Sequence, residues 1–281
     1  MLVRHFLPSP CNRSPSARVV FGMAVAGDFS VSNPRRSPAP DMSAAHLPSP
    51  ILNVEPPRRP VPLVVVSPHP DDAVFSCGGL LLAHPGSAVV TVYTGLPDST
   101  DMSTEWDRRC GFSSAAEAME RRLEEERQAL QCVGSTGQAL GFIDSQYRQG
   151  RDESVTPLAE RLLHALAGLS ADRVALPLGL FHDDHLRVSE AGLQAWQACP
   201  GVSWFFYEDV PYRNRSGVVQ DRLAQLRDRG VELTPAQLET EPAGKAEAVA
   251  AYASQLRGLG GWPGDGQAER YWRVAAKRAS P

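Results

Sequence analysis

A run of apolar, mostly β-branched residues stops at two prolines that bracket a histidine, and two aspartates follow at once: Val64-Val65-Val66-Ser67-Pro68-His69-Pro70-Asp71-Asp72. Such a run reads as a strand buried on both faces, here over 62–67. Pro68 and Pro70 cannot extend a hydrogen-bonded ladder, so the chain must turn there. The small-residue stretch Cys77-Gly78-Gly79-Leu80-Leu81-Leu82-Ala83 predicts a helix over 74–84, packed close to the sheet. One imidazole and two carboxylates therefore fall at the C-terminal edge of a buried strand, where open α/β sheets bind their ligands.

Three readings of that turn compete. A helix N-cap accounts for one of the two aspartates but not for both together with His69. A dinucleotide site lacks the G-x-G-x-x-G that should follow the strand. A metal site suits neutral imidazole and carboxylate, which together favour Zn²⁺ or Fe²⁺. It requires a further ligand from elsewhere in the chain.

A second turn of the same kind supplies candidates. Arg173-Val174-Ala175-Leu176-Pro177-Leu178 reads as another buried strand, and Gly179-Leu180-Phe181-His182-Asp183-Asp184-His185 follows it. Of seven histidines, three lie in these two turns. The remaining four fall in the polar N-terminal stretch (His5, His46), at a helix end (His84) and in an amphipathic helix (His164). Two such turns from parallel strands can converge on one crest of the sheet.

The His69-Pro70-Asp71-Asp72 motif, the distant His182-x-Asp184-His185 motif and their places after strands resemble the PIG-L/LmbE family of metal-dependent N-deacetylases. The resemblance extends through Arg122-x-x-Glu125, Gly141-Phe142-Ile143-Asp144-Ser145, Phe206-Tyr207-Glu208-Asp209-Val210-Pro211-Tyr212 and Lys245-x-x-Ala248-x-x-x-Tyr252-x-Ser254-Gln255, covering roughly 62–260. Ala73 departs from it, since many members carry Glu after the two aspartates. The resemblance implies His69, Asp72 and His185 as ligands of Zn²⁺, with Fe²⁺ as the alternative, and Asp71 as general base. It implies His182 as an imidazolium that stabilises the oxyanion, with Asp184 orienting it and raising its pKa. Arg122 and Asp144 are then expected at sugar hydroxyls, although Arg122 could equally pair with Glu125 or Glu126 on a helix surface. The implied reaction is removal of an N-acetyl group from an N-acetylglucosamine-type sugar. A metal-dependent amidase for a larger amide and a non-catalytic carbohydrate binder are the other classes, and the latter is disfavoured because no ligand or base is missing.

The rest of the chain alternates. Strands are expected at 88–93, 140–143 and 204–207, and helices at 114–132, 155–168 and 186–198. The loop 96–113, with Trp106, is a candidate specificity element, and the region after 213 reads as mostly helical. This order predicts a Rossmann-like α/β fold, a mostly parallel sheet with helices on both faces, in one LmbE-like domain over 61–281. Residues 1–60 differ: they carry seven Arg, no Lys and half of all 24 prolines fall within the first 62 residues. They read as a disordered leader, with Met23 and Met42 as alternative starts.

Charge and cysteine content limit the partners. A net charge of −4 gives no broad footprint for nucleic acid. No apolar run reaches the length of a membrane span. Five scattered cysteines without a C-x-x-C pair argue against a disulfide framework and place the chain in the cytoplasm by default. A homo-oligomer is compatible with all of this, and the expected partner is a small N-acetylated sugar.

Overall fold

The computed structural model describes residues 61–148, 154–264 and 266–275. The expected leader over 1–60 lies outside them.

The first strand, β1 (Val64–Ser67), and its neighbour β2 (Ala88–Thr91) are buried at every position. Their alternation divides the core between the two sheet faces. Val64, Val66 and Val90 pack on one side with Leu162, Val188 and Leu226. Val65 and Val89 pack on the other with Leu80, Ala129 and Val249. Helices α4 (Thr156–Leu169), α5 (Asp183–Ala198) and α6 (Val218–Asp228) cover the first face. Helices α1 (Asp72–Ala83), α3 (Ala115–Cys132) and α7 (Lys245–Ala250) cover the second. Two short helices, α2 (Glu105–Cys110) and α8 (Ala253–Leu259), pack together beyond the sheet edge.

With β3 (Thr136–Ala139), β4 (Arg173–Pro177), β5 (Ser203–Tyr207), β6 (Glu232–Ala236) and β7 (Tyr271–Ala275), the sheet has the order β3-β2-β1-β4-β5-β7-β6. The first five strands are parallel, in registers such as Val65 opposite Val89 and Val174 opposite Trp204. β7 runs antiparallel to both β5 and β6. The order reverses between β1 and β4, so the chain leaves these adjacent strands in opposite directions around the sheet. That opens a crevice at their carboxyl ends.

Several boundaries differ from the sequence reading. The third strand is Thr136–Ala139, exposed throughout, because it is an edge strand whose hydrogen bonds to β2, and not its side chains, hold it. The apolar segment expected to form it, 140–143, instead runs on past the end of β2, held by Leu140 N to the Thr91 carbonyl at 2.9 Å, Phe142 N to the Val92 carbonyl at 3.1 Å and the bridge between Gly95 and Ile143. The loop 96–113 contains α2, started by a reciprocal cap between Thr104 and Asp107. The helical expectation after 213 missed β6 and β7. β6 is an outer strand with Pro235 in it, which is tolerated only because one of its edges is unpaired.

Candidate metal centre

The turn after β1 is held from inside. Ser67 Oγ donates to the His69 carbonyl at 2.7 Å and accepts from Ala73 N at 2.9 Å. The Asp72 carboxylate accepts from His69 N at 2.9 Å. Asp71 stands between them at φ 126°, a conformation that costs a non-glycine residue on the order of 1–3 kcal/mol. Its backbone N–H is fixed by the buried Glu126 carboxylate, which also takes Thr91 Oγ1 at 2.9 Å and Tyr252 OH. The turn thus projects His69, Asp71 and Asp72 into the crevice in a backbone shape that the chain would not adopt unaided.

The turn after β4 is longer. It begins at Gly179, φ 82°, where a Cβ would come within 2.7 Å of Ser189 Cβ. His182 caps α5, its Nδ1 accepting from Asp184 N at 3.2 Å. His185 lies one turn into the helix, fully buried. Asp209, just after β5, accepts from His185 Nδ1 at 2.6 Å through one oxygen and from Gly179 N and Leu180 N, at 3.0 and 3.1 Å, through the other.

The two turns meet. One ligand atom each from His69, Asp72 and His185 lie within 4.8 Å of one another, and all three residues are buried. His69 Nδ1 and His185 Nε2 both come to 3.1 Å from the same Asp72 oxygen. His185 Nε2 has no hydrogen-bond partner, since its approach to Asp72 lacks the direction of a bond. With the proton of His185 on Nδ1, facing Asp209, a nitrogen lone pair is aimed at a carboxylate. That arrangement calls for positive charge between them. Burial opposes a charged His185, yet Asp72 and Asp209 push its pKa up to about 9. The donor set of two imidazoles and a carboxylate fits a divalent zinc- or iron-like ion. A second set, His69, His182 and Asp184, is equally compact. Asp184 is already engaged by Arg148 and by Ser145 N at 3.0 Å, and His182 Nδ1 by the helix cap. The first set therefore suits a cation better.

A cavity of about 450 Å³ opens beside the cluster, lined by His69, Asp71, Asp72, Arg122, Asp144 and His182 among others. Arg122 is buried here, its Nη1 3.5 Å from Asp144, so its alternative as a surface partner of Glu125 or Glu126 is not what forms. Its Nε has no partner. Asp144 takes Gln146 N at 3.0 Å and lies 3.6 Å from His69 Nε2. Burial, together with Asp72, raises the Asp71 carboxyl well above the usual range, against the pull of Arg122.

Two expectations about the second turn need correction. The Asp184 side chain does not orient His182. It accepts from His69 Nε2 at 3.1 Å, from Arg148 and from Ser145 N, because it starts α5 pointing back over β1. Nor is His182 biased toward imidazolium: burial and then the neighbouring His69 and His185 lower its pKa, outweighing Asp184 and Asp144. Sequence reasoning carried Asp209 only as part of a motif, with no role behind a ligand, and passed over Arg148. The available signal was a carboxylate ending the strand next to β4, within reach of a β4 histidine.

Residues 64–196 match the family model described as PIG-L: GlcNAc-PI de-N-acetylase. That span is similar to the PIG-L family. Within it fall both turns, α3 with Arg122, and Asp144; Asp209 and Tyr212 follow the matched span. A curated relative, the 2'-N-acetylparomamine deacetylase of Streptomyces fradiae, is 32% identical over 181 residues, 60% of this chain. The chain spans 63% of that relative's length. Among solved structures, the A40926 pseudoaglycone deacetylase superposes with a TM-score of 0.61 at 22% identity, over 79% of this chain and all of that one. The zinc-inhibited form of a teicoplanin deacetylase gives 0.62 at 23%, over 78% and 99%. These likenesses establish a LmbE-like fold. Among the described residues no helix is long and apolar enough to cross a membrane.

Proposed function

We propose that this chain hydrolyses the N-acetyl group of an aminosugar conjugate, using a divalent cation, Zn²⁺ or else Fe²⁺, held by His69, Asp72 and His185. The observation that carries this is the unpartnered His185 Nε2 facing Asp72 beside a cavity that contains a base and sugar-sized polar groups. The named activities of the relatives, all removals of acyl groups, agree with it.

A bound divalent cation supplies Lewis acidity toward the amide carbonyl and lowers the pKa of water. The chain's own residues do the rest. Asp71 takes a proton from the attacking water. Its raised pKa lets it hold that proton and pass it to the departing amine nitrogen. Because His182 Nδ1 accepts from the backbone, a neutral imidazole keeps its hydrogen on Nε2, which can donate to the oxyanion of the tetrahedral species. Arg122 and Asp144 offer a donor and an acceptor side by side for adjacent sugar hydroxyls.

The test pairs metal analysis with acetate detection. Protein prepared with zinc should hold about one ion per chain and release acetate from an N-acetylglucosamine glycoside; chelation should stop release and added zinc or ferrous ion restore it. Release of a larger acid and no acetate would instead make it an amidase. A chain that binds no metal at these residues and releases no acid is no hydrolase of this kind.

A further inference from the structure

Asp71 stands at the N-cap position of α1, where an aspartate ordinarily accepts from the first N–H groups of its own helix. Its side chain makes no such bond. With the backbone at φ 126°, the carboxylate instead lines the cavity. A base that capped its own helix would be a spent acceptor. The unusual backbone keeps it available, and the surroundings must hold that backbone in place.

Glu126, on α3, meets the turn from outside. It is buried and accepts from the Asp71 backbone N–H, from Thr91 Oγ1 at 2.9 Å and from Tyr252 OH. These donors belong to the start of α1, to β2 and to the junction between α7 and α8. All three are uncharged, and burying a carboxylate without a cation is costly. An apolar side chain of similar volume would pack there more cheaply, but it would offer no acceptor to the Asp71 peptide. Tyr252 is fully buried, with its ring edge-on to Phe75 at 5.4 Å, so the core aims its hydroxyl at Glu126. It immediately precedes α8, whose Gln255 lines the same cavity.

We propose that Glu126 and Tyr252 are positioning residues: they hold the Asp71 peptide in its left-handed conformation, and so keep the carboxylate in the cavity, without touching substrate themselves. This rests on the reading of Asp71 as general base, so the experiment follows the peptide itself as well as the rate.

The zinc-loaded full chain and its Glu126→Leu, Glu126→Gln and Tyr252→Phe variants are compared in three ways. These are metal per chain, kcat and KM for acetate release from an N-acetylglucosamine glycoside, and hydrogen exchange at the Asp71 amide. Glu126→Leu keeps the volume and removes the acceptor. It should retain its metal, leave KM near the wild-type value and lower kcat about 10²-fold, the scale of a small misplacement remote from the chemistry. Tyr252→Phe removes one of the three bonds and should lower kcat about 2–10-fold. Glu126→Gln keeps an acceptor oxygen of the same reach and should recover most of kcat. Exchange at the Asp71 amide should quicken in the order in which kcat falls.

A wild-type kcat in Glu126→Leu would overturn the proposal. Loss of metal in step with loss of rate would do the same, because Glu126 would then support the whole turn and not the base. A kcat in Glu126→Gln as low as in Glu126→Leu would also sink it, since charge and not position would then matter. Should Glu126→Leu fail to fold, Tyr252→Phe decides through the same measurements, with its ring still packed on Phe75. If acetate is released but exchange at Asp71 is the same in every variant, the proposal falls and the deacetylase reading stands. If the wild type releases no acetate while exchange at Asp71 responds to the variants, the brace stands and the deacetylase reading falls.

Discussion

The turns after β1 and β4 look alike in sequence, a strand followed by histidine and aspartate, yet they are built on different principles. The first is short and self-supporting. Ser67, His69 N and Asp72 bond one another within six residues, with Glu126 bracing Asp71 N, Tyr93 N donating to the Pro68 carbonyl and Asp184 meeting His69 Nε2 from outside. The second is long and borrowed. Gly179 and Leu180 hang on Asp209 of the next strand, His185 is aimed by that same carboxylate, and Asp184 spends its oxygens on His69, Arg148 and Ser145. A self-supporting turn can present strained chemistry, as at Asp71. A borrowed one can hold a ligand only as firmly as its neighbours hold it.

The largest expected effect separates the roles packed into the first turn. Asp72→Ala should abolish metal binding and acetate release together. Asp71→Asn should keep about one ion per chain while slowing turnover by about 10²–10⁴-fold, the range of a lost general base. Parallel measurements of metal content and rate decide it. Equal metal loss in both variants would make Asp71 a ligand and remove the distinction.

Next in size is the electrophile of the second turn. His182→Ala should retain its metal and lower kcat and kcat/KM by similar factors, about 10²–10³-fold, as for loss of one oxyanion donor. Because burial and two neighbouring histidines lower the His182 pKa, the neutral ring is the working form. A near-normal kcat in this variant would leave His182 as the helix cap alone.

The outside support of the first turn can be tested through pH. Burial raises the Glu126 carboxyl to about 7, although Tyr252 and Thr91 bonds pull it down. A folded pKa above the ordinary glutamate value of 4.5 means that the native state binds the extra proton. That stability is complete below pH 4.5 and is lost as pH rises through about 7. The unfolding free energy read from denaturant melts should therefore fall across this window by on the order of 2–3 kcal/mol relative to Glu126→Gln, which has no such proton. Parallel pH profiles for the two proteins would show that Glu126 ionises without penalty.

The smallest effect tests how far the second turn depends on its neighbour. Asp209→Asn should weaken metal affinity about 10–100-fold, the usual consequence of removing the carboxylate behind a ligating imidazole. A titration with a competing chelator reads this directly. Unchanged affinity would mean that His185 is aimed by α5 alone.

How much was legible follows the same division. The first turn could be read almost entirely, because its proline brackets, its acids and the valine run before it are local signals. The mostly parallel character of the sheet followed from strand–helix alternation, its strand order did not, and Arg122 and Asp144 came through the family resemblance. The second turn could be read only as a set of residue types. That Asp184 would turn to His69, 115 positions away, or that Asp209 would aim His185, depends on which strands become neighbours. The β6–β7 edge was illegible for a related reason: Pro235 and the polar run around it carry no period, and only pairing makes them strands.

The sequence by itself determined that the β1 and β4 segments are buried, that each stops at a turn and which chemical groups stand at those two stops. Those are properties of backbone sterics and side-chain transfer, and they act over a few residues. Tertiary structure alone decided which nitrogen meets which oxygen, and that Arg122 is buried in the cavity instead of paired on a helix surface. Distances between charges set their partners and their pKa values, and those distances exist only once β1 and β4 lie side by side.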